Sequence, residues 1–263
     1  MKMAIPSPGR RRLLAPLLRG WSSTPGYLGD LCPFCTRARM IFGLKEIPHR
    51  LIFMSYDDAE TPQGLIGKKL APILHLPGEK PMAESMEIVQ KLDADARWGP
   101  PRLLPATGRP DLAEFDAKHW PTIRNLVHTR FMHAPLPDLA LRSARDYFVE
   151  RHPLEDPATN IRVSQDVWNR YDPAQKRALY EHHLSDESRL GHLNEEVLPI
   201  FEKLLHSEEA VSAPGLGFDD VVLFCRLRYV TLVKGAQLGA KAEAYLESMS
   251  RKTDIPLLTR MAM

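Results

Sequence analysis

Three cysteines in 263 residues are too few to staple a secreted fold, so a reducing, cytoplasmic setting is the expectation. A net charge of +2 gives no electrostatic case for nucleic acid, and no stripe of basic and aromatic residues of the kind that grips single strands is present. No run is long and apolar enough to span a bilayer. The most apolar helical stretch, DDVVLFCRLRYVTLVKG, is interrupted by Arg226 and Arg228 and reads as a buried core helix. Neither an internal repeat nor a low-complexity tract stands out. Acidic residues are missing before Asp30, whereas Lys2, Arg10, Arg11, Arg12 and Arg19 all fall there. An Arg-rich, acid-free start suits an organelle transit peptide. The alternative is a disordered extension over residues 1–26, since Pro6, Pro8 and Pro16 work against a helix.

What is present is an ordinary globular composition, 44% hydrophobic and 26% charged, on a chain long enough for two modest domains. From Pro33, the residues Ala38, Ile41, Phe42 and Leu44 follow one helical face, which KEIP ends. HRLIFMSY is strand-like, and DDAETPQGLIGKK is a short helix with Gly67 near its end. APILHL and PMA read as strands on either side of a PGEKP turn, and ESMEIVQKLDADA as an amphipathic helix. That order is the greater part of a thioredoxin-like unit. Its first strand must come from PGYLGDL, a weak candidate with Pro25, Gly26 and Gly29. The predicted organisation is an α/β thioredoxin-like domain over residues 27–97, a Pro- and Gly-rich linker over 98–111, and an all-α domain over 112–263, where only helical spacing is found. Within the helical part, DPATNIRVSQDVWNRYDPAQKRALYEHH reads as an insertion whose Trp168, Tyr171 and Tyr180 either line a substrate site or pack, packing being the expectation.

Cys32 and Cys35 stand together in DLCPFCTRARMIFGLK, where a helix begins. A zinc site needs four ligands, and the second pair is missing; His182 and His183 are adjacent rather than at ligand spacing, so no metal is expected. Two inert structural thiols are one alternative. A redox pair is another, and it has a mechanism. With Cys32 at the N-cap and Pro33 at the first helical position, the proline loses no needed N–H. The Cys32 sulfur then faces free amides and the positive end of the helix dipole, which favour thiolate and make it a nucleophile. Cys35, one turn inward, is placed to resolve a mixed disulfide on Cys32. Arg37 and Arg39 either add positive potential or form a solvated face. Cys225, on an apolar helix face, reads as an inert buried thiol.

Two later stretches fit a partner site. A proline in LAP, just before a strand, suits the ladder when its peptide is cis, which turns the Ala71 backbone outward for an extended ligand; an ordinary loop proline is the alternative. ESM opens a helix whose amides and Ser85 hydroxyl suit a carboxylate, while Glu84 suits an ammonium; an ordinary helix cap is the alternative.

Taken in order, CPFCTRARMIFGLKEIP, DDAETPQGLIGKKLAPIL and MAESMEIVQKLD resemble hallmark segments of the glutathione-transferase superfamily, and more closely of its bacterial glutaredoxin 2 branch. YVTLVKG and RKTDIPLLTRMAM are similar to that branch's last helices and tail. The resemblance spans roughly residues 27–263 and is thin between about 150 and 195. It implies a glutathione-transferase-like architecture and a dithiol glutaredoxin, with glutathione as reducing co-substrate and disulfide-containing proteins or small molecules as substrates, acting as a monomer. It further implies Cys32 as the attacking thiol and Cys35 as the resolving one. Ala71 and Pro72 become the backbone clamp and cis proline of a glutathione site that includes Phe34, with Glu84 and Ser85 holding the γ-glutamyl end. The chain departs from that pattern in carrying Phe34 for a usual tyrosine, Ala71 for a commoner valine, and a first strand that does not alternate. Gly217 stands at the cap of the interdomain helix where the family has serine or threonine, although Asp220 of the capping box remains. Two other function classes compete. A glutathione transferase or monothiol thiol transferase would use Cys32 alone, with Tyr27 as a nearby hydroxyl, and Cys35 argues against it. A non-catalytic binding module of the same fold would need neither the cysteine pair nor the Glu84–Ser85 corner.

Overall fold

The computed structural model describes residues 4–6 and 24–263, and it puts the least strand-like stretch of the sequence inside a sheet. The first half forms β1 (Ala4–Pro6), β2 (Thr24–Leu28), α1 (Pro33–Leu44), β3 (His49–Phe53), α2 (Glu60–Ile66), β4 (Ile73–Leu74) and α3 (Ser85–Ala94). The four strands lie in the order β1-β3-β2-β4, with β2 parallel to β3, β1 antiparallel to β3 and β4 antiparallel to β2. Pro25 is tolerated in β2 because the N and O of a strand residue face the same side. Its carbonyl accepts from the His75 N–H at 3.2 Å, so the missing N–H also faces that side, where β4 has already ended at Leu74. Gly26 has a packing reason: a Cβ there would come 3.3 Å from the Phe42 ring of α1.

β2 begins at Thr24, ahead of the expected domain start at residue 27, and Ala4–Pro6 pairs along β3. On β3 this short strand engages backbone groups that an edge would leave to water. The targeting reading of the other N-terminal residues lies outside the described residues. The PMA strand is reduced to one bridge, Leu74 with Met82.

The second half is helical, comprising α4 (Pro110–Phe131), α5 (Arg142–Arg151), α6 (Gln165–Trp168), α7 (Pro173–Leu184), α8 (Glu187–His192), α9 (Leu198–Leu204), α10 (Phe218–Leu227) and α11 (Ala240–Thr253). A π-helical segment, Leu193–Val197, joins α8 to α9. Trp168 is fully buried with its indole N–H on the Val149 carbonyl at 2.8 Å, and Tyr180 is buried with its hydroxyl on the His152 carbonyl at 2.9 Å, so these aromatics pack. The α10 start explains its glycine cap. Asp220 accepts from the Gly217 N–H at 2.8 Å, keeping half of the capping box, but a Cβ on Gly217 would sit 2.8 Å from the Leu104 carbonyl. Serine would not fit.

The halves share one core. α1 packs on α3 within its own domain and on α10 and α11 across the boundary. The closest approach is at Gly43, where a Cβ would overlap the Thr253 carbonyl at the end of α11. The helix that begins with the cysteines is therefore clamped by the helical domain at its other end.

Candidate active site

Cys32 is the N-cap of α1, with extended backbone (φ −90°, ψ 117°), and Pro33 opens the helix. The Cys35 thiol, donating toward the Cys32 sulfur, is the largest influence holding the Cys32 pKa below its ordinary value. Burial opposes it, and the amides of Cys35 and Phe34 reinforce it. Cys35 is fully buried and its sulfur accepts from the Gly29 N–H at 3.3 Å. Burial, and next the Cys32 sulfur, push the Cys35 pKa well up. One sulfur is set to lose its proton and its neighbour to keep one, and both are free thiols.

The loop before Cys32 is held by groups that no local pattern announces. Arg39 is neither a solvated face nor a source of free positive potential: it is buried against the Asp30 carboxylate, which Arg228 also reaches at 3.2 Å. Against burial, which raises it, the charges of Arg228 and Arg39 hold the Asp30 carboxyl below its ordinary value. The Tyr229 hydroxyl donates to the Asp30 carbonyl at 3.0 Å. Asp138, buried in the short 3-10 turn Pro137–Leu139 of the helical domain, accepts from the N–H groups of Asp30 and Leu31 at 3.1 and 3.2 Å. Burial first, then the Asp30 charge, raise its carboxyl to about 7. Its sequence signal is slight, a single acid in LPDL between apolar residues.

A cavity of about 290 Å³ opens beside Cys32, lined among others by Tyr56, Lys69, Ala71, Asp138 and Tyr147. Lys69 lies 3.7 Å from the centre of the Tyr147 ring, and Arg151 lies 5.2 Å from it. The tyrosines at the cavity are Tyr56 and Tyr147 rather than Tyr27. The Tyr56 ring is linked to the helical domain. Its hydroxyl lies 3.2 Å from His152 Nε2; because His152 Nδ1 is engaged by the Phe148 carbonyl at 2.8 Å, Tyr56 is the donor.

Of the other residues singled out by sequence, Ala71 joins Cys32 and Cys35 in a small apolar cluster with Leu28 and Leu51. The Ala71–Pro72 peptide is cis. Phe34 is 45% exposed, with the Arg37 guanidinium 4.9 Å from its ring centre. Ser85 is buried at the start of α3, and Glu84 caps that helix with φ of 73°. The Leu74–Met82 bridge runs the chain around Pro72 back alongside Glu84, whose carboxylate meets Lys68 at 3.5 Å. Glu84 and Ser85 do not line the cavity beside Cys32. Cys225 is fully buried, its thiol on the Val222 carbonyl at 3.0 Å and its pKa raised by burial. Among the described residues, the ligand-type atoms of His182, His183 and Asp186 lie within 4.8 Å of one another, but Asp186 already caps α8 and pairs with Arg189 at 3.0 Å. Among the described residues, no helix is long and apolar enough to cross a membrane.

Comparison with known proteins finds relatives at the level of family, sequence and structure. The description "Glutathione S-transferase, N-terminal domain" matches residues 31–95, and "Glutaredoxin 2, C terminal domain" matches residues 157–262. The second match takes in the stretch read from sequence as an insertion; its α7 packs on α4 as part of the domain core. Glutaredoxin 2 of Escherichia coli (strain K12) is 34% identical over 236 residues, covering 90% of this chain and 98% of that protein. The crystal structure of glutaredoxin 2 from Salmonella typhimurium in complex with glutathione matches with a TM-score of 0.75 and 31% identity, over 92% of this chain and all of that one (100%). A glutathione transferase from Phanerochaete chrysosporium shares the fold alone, with a TM-score of 0.52 and 16% identity over 89% of this chain and 98% of that one.

Proposed function

The chain belongs to the glutaredoxin 2 family, and from that membership we propose that it is a dithiol glutaredoxin, reducing disulfides with glutathione through its Cys-Pro-Phe-Cys centre. The observation that carries the reading is the opposed state of two adjacent thiols, Cys32 lowered and half-exposed, Cys35 raised and buried. The Cys32 thiolate attacks one sulfur of a substrate disulfide, forming a mixed disulfide and expelling the other sulfur as a thiolate that takes a proton from water. Cys35 then attacks the Cys32 sulfur, closing the Cys32–Cys35 disulfide and releasing the second thiol. Two glutathione molecules return the pair to thiols and leave as oxidised glutathione.

In this reading the Ala71 backbone, beside Pro72, clamps the extended tripeptide and Phe34 lies against it. Glu84 takes the γ-glutamyl ammonium and Ser85 its carboxylate. Substrates are disulfide-containing proteins or small molecules, met by a monomer in the reducing cytoplasm, where three free cysteines are stable. A monothiol thiol transferase is the second reading, favoured by one observation: a resolving thiol with a raised pKa is slow, so external glutathione could release the substrate first. Glutathione-coupled reduction of a protein disulfide by wild type, Cys32→Ser and Cys35→Ser separates them. The dithiol reading expects no activity from the first variant and a large loss in the second. Full activity in Cys35→Ser establishes the monothiol route, and an inactive wild type leaves the binding module.

A further inference from the structure

Cys35 must lose a proton before it can attack, yet it is sealed from water and beside an anion. Sending that proton to bulk solvent would leave the Cys35 thiolate next to an ionised Asp138, two anions in one enclosed space. The structure offers another destination. Gly29 stands between the two groups. Its N–H touches the Cys35 sulfur at 3.3 Å, and a Cβ on its other face would meet Asp138 Oδ2 at 2.9 Å. The carboxylate is pinned there by the Asp30 and Leu31 amides, and the Tyr56 N–H holds the Asp138 carbonyl at 2.8 Å. Gly29, Cys32 and Asp138 also share the wall of the cavity.

Resting on the dithiol reading above, we propose that Asp138, supplied by the helical domain, receives the Cys35 proton as Cys35 attacks the mixed disulfide on Cys32. The proton passes from Cys35 past Gly29 to the Asp138 carboxylate through one water. The electron pair left on the Cys35 sulfur forms the bond to Cys32, and the bond between Cys32 and the substrate sulfur breaks, its pair leaving on the substrate thiolate. Asp138 then gives its proton to that thiolate or to the cavity. Negative charge moves from oxygen to sulfur, and no net charge enters the buried site.

The groups facing Asp138 leave it as the one placed to titrate near neutrality in this intermediate. Asp30 is held low by Arg228 and Arg39, Tyr56 is raised by burial, and Cys32, bonded to substrate, carries no proton. Asp58, Lys69, Tyr147 and Arg151 line the same cavity. The carboxyl itself is raised to about 7 by burial, which suits an acceptor at working pH.

The test is single-turnover release of a chromogenic thiol from the Cys32 mixed disulfide of the full chain, followed across pH. In wild type the rate is expected to rise to a plateau with its midpoint near 7. In Asp138→Asn it falls about a hundredfold and the plateau disappears. Gly29→Ala keeps both groups and puts a methyl between them, so release slows although the thiol and carboxyl remain. A wild-type profile without an inflection overturns the proposal, as does an Asp138→Asn protein with unchanged rate and profile. If Asp138→Asn fails to fold, the wild-type and Gly29→Ala profiles decide: a Gly29→Ala rate equal to wild type is then a refutation. Cys35→Ser guards the premise, because release from it at the wild-type rate sinks the dithiol reading itself, whatever Asp138 does.

Discussion

Replacing Cys35 by alanine and by serine asks what makes Cys32 a thiolate. Three donors act on that sulfur: the Cys35 thiol, which is the strongest influence, and the amides of Cys35 and Phe34. Either substitution leaves the amides in place. A hydrogen bond to a charged acceptor contributes about 1.5–3 kcal/mol, and one pKa unit corresponds to about 1.36 kcal/mol. Losing the Cys35 donor in Cys35→Ala should therefore raise the Cys32 pKa by about one to two units, toward the lower end if water enters the vacated space. Serine restores an O–H donor at the same place, so Cys35→Ser should stay within about half a unit of wild type. Ultraviolet thiolate absorbance against pH reads this directly, and Cys225 does not intrude because burial raises its pKa. An alanine variant that titrates like wild type would show that the helix start alone sets the thiolate. A serine variant shifted as far as alanine would show that packing, not donation, is the cause.

Gly43→Ala should drive α1 off the Thr253 carbonyl, costing about 1–3 kcal/mol and lowering the urea midpoint by about 1 M; an unmoved midpoint would mean that the contact is not tight. On the proposed reading Glu84 faces the γ-glutamyl ammonium, so Glu84→Gln should raise KM for glutathione about tenfold with kcat held. Equal KM values would remove Glu84 from the site. Asp138 titrates at about 7 in the fold against an ordinary 3.8, so its contribution to stability is fully present below the lower value and is lost as pH rises to the higher. The loss amounts to up to about 4 kcal/mol. Asp138→Asn lacks this titration, and its stability relative to wild type should therefore climb between about pH 4 and 7 in urea melts; a difference flat with pH contradicts the raised carboxyl.

The Cys32 site was legible because its physics is local. An N-cap residue followed by proline fixes where the helix starts, and the orphan amides follow from that alone. The helices of the second half were legible for the same reason, since apolar spacing survives without knowledge of neighbours. β2 was not. Pro25 counts against a strand only if its missing N–H is needed, and that depends on β4 stopping at Leu74, a fact of the partner and not of PGYLGDL. Gly217 showed in the sequence only as a departure from the family's serine or threonine cap, because the space a serine would need belongs to Leu104, far away in sequence.

The same division separates the two thiols. Making Cys32 acidic takes a helix terminus and a neighbour one turn away, which one continuous segment supplies. Making Cys35 deprotonate at the right moment takes enclosure and a second ionisable group, and a single helix cannot enclose itself. Asp138 reaches the site from 108 residues away in the chain, and Arg228 from 198, because burying a charge needs walls from both domains. On the proposed reading the helical domain is thus part of the redox chemistry. The thioredoxin-like half cut away from it would keep a helix-start cysteine and lose the carboxyl that sets the timing of its release.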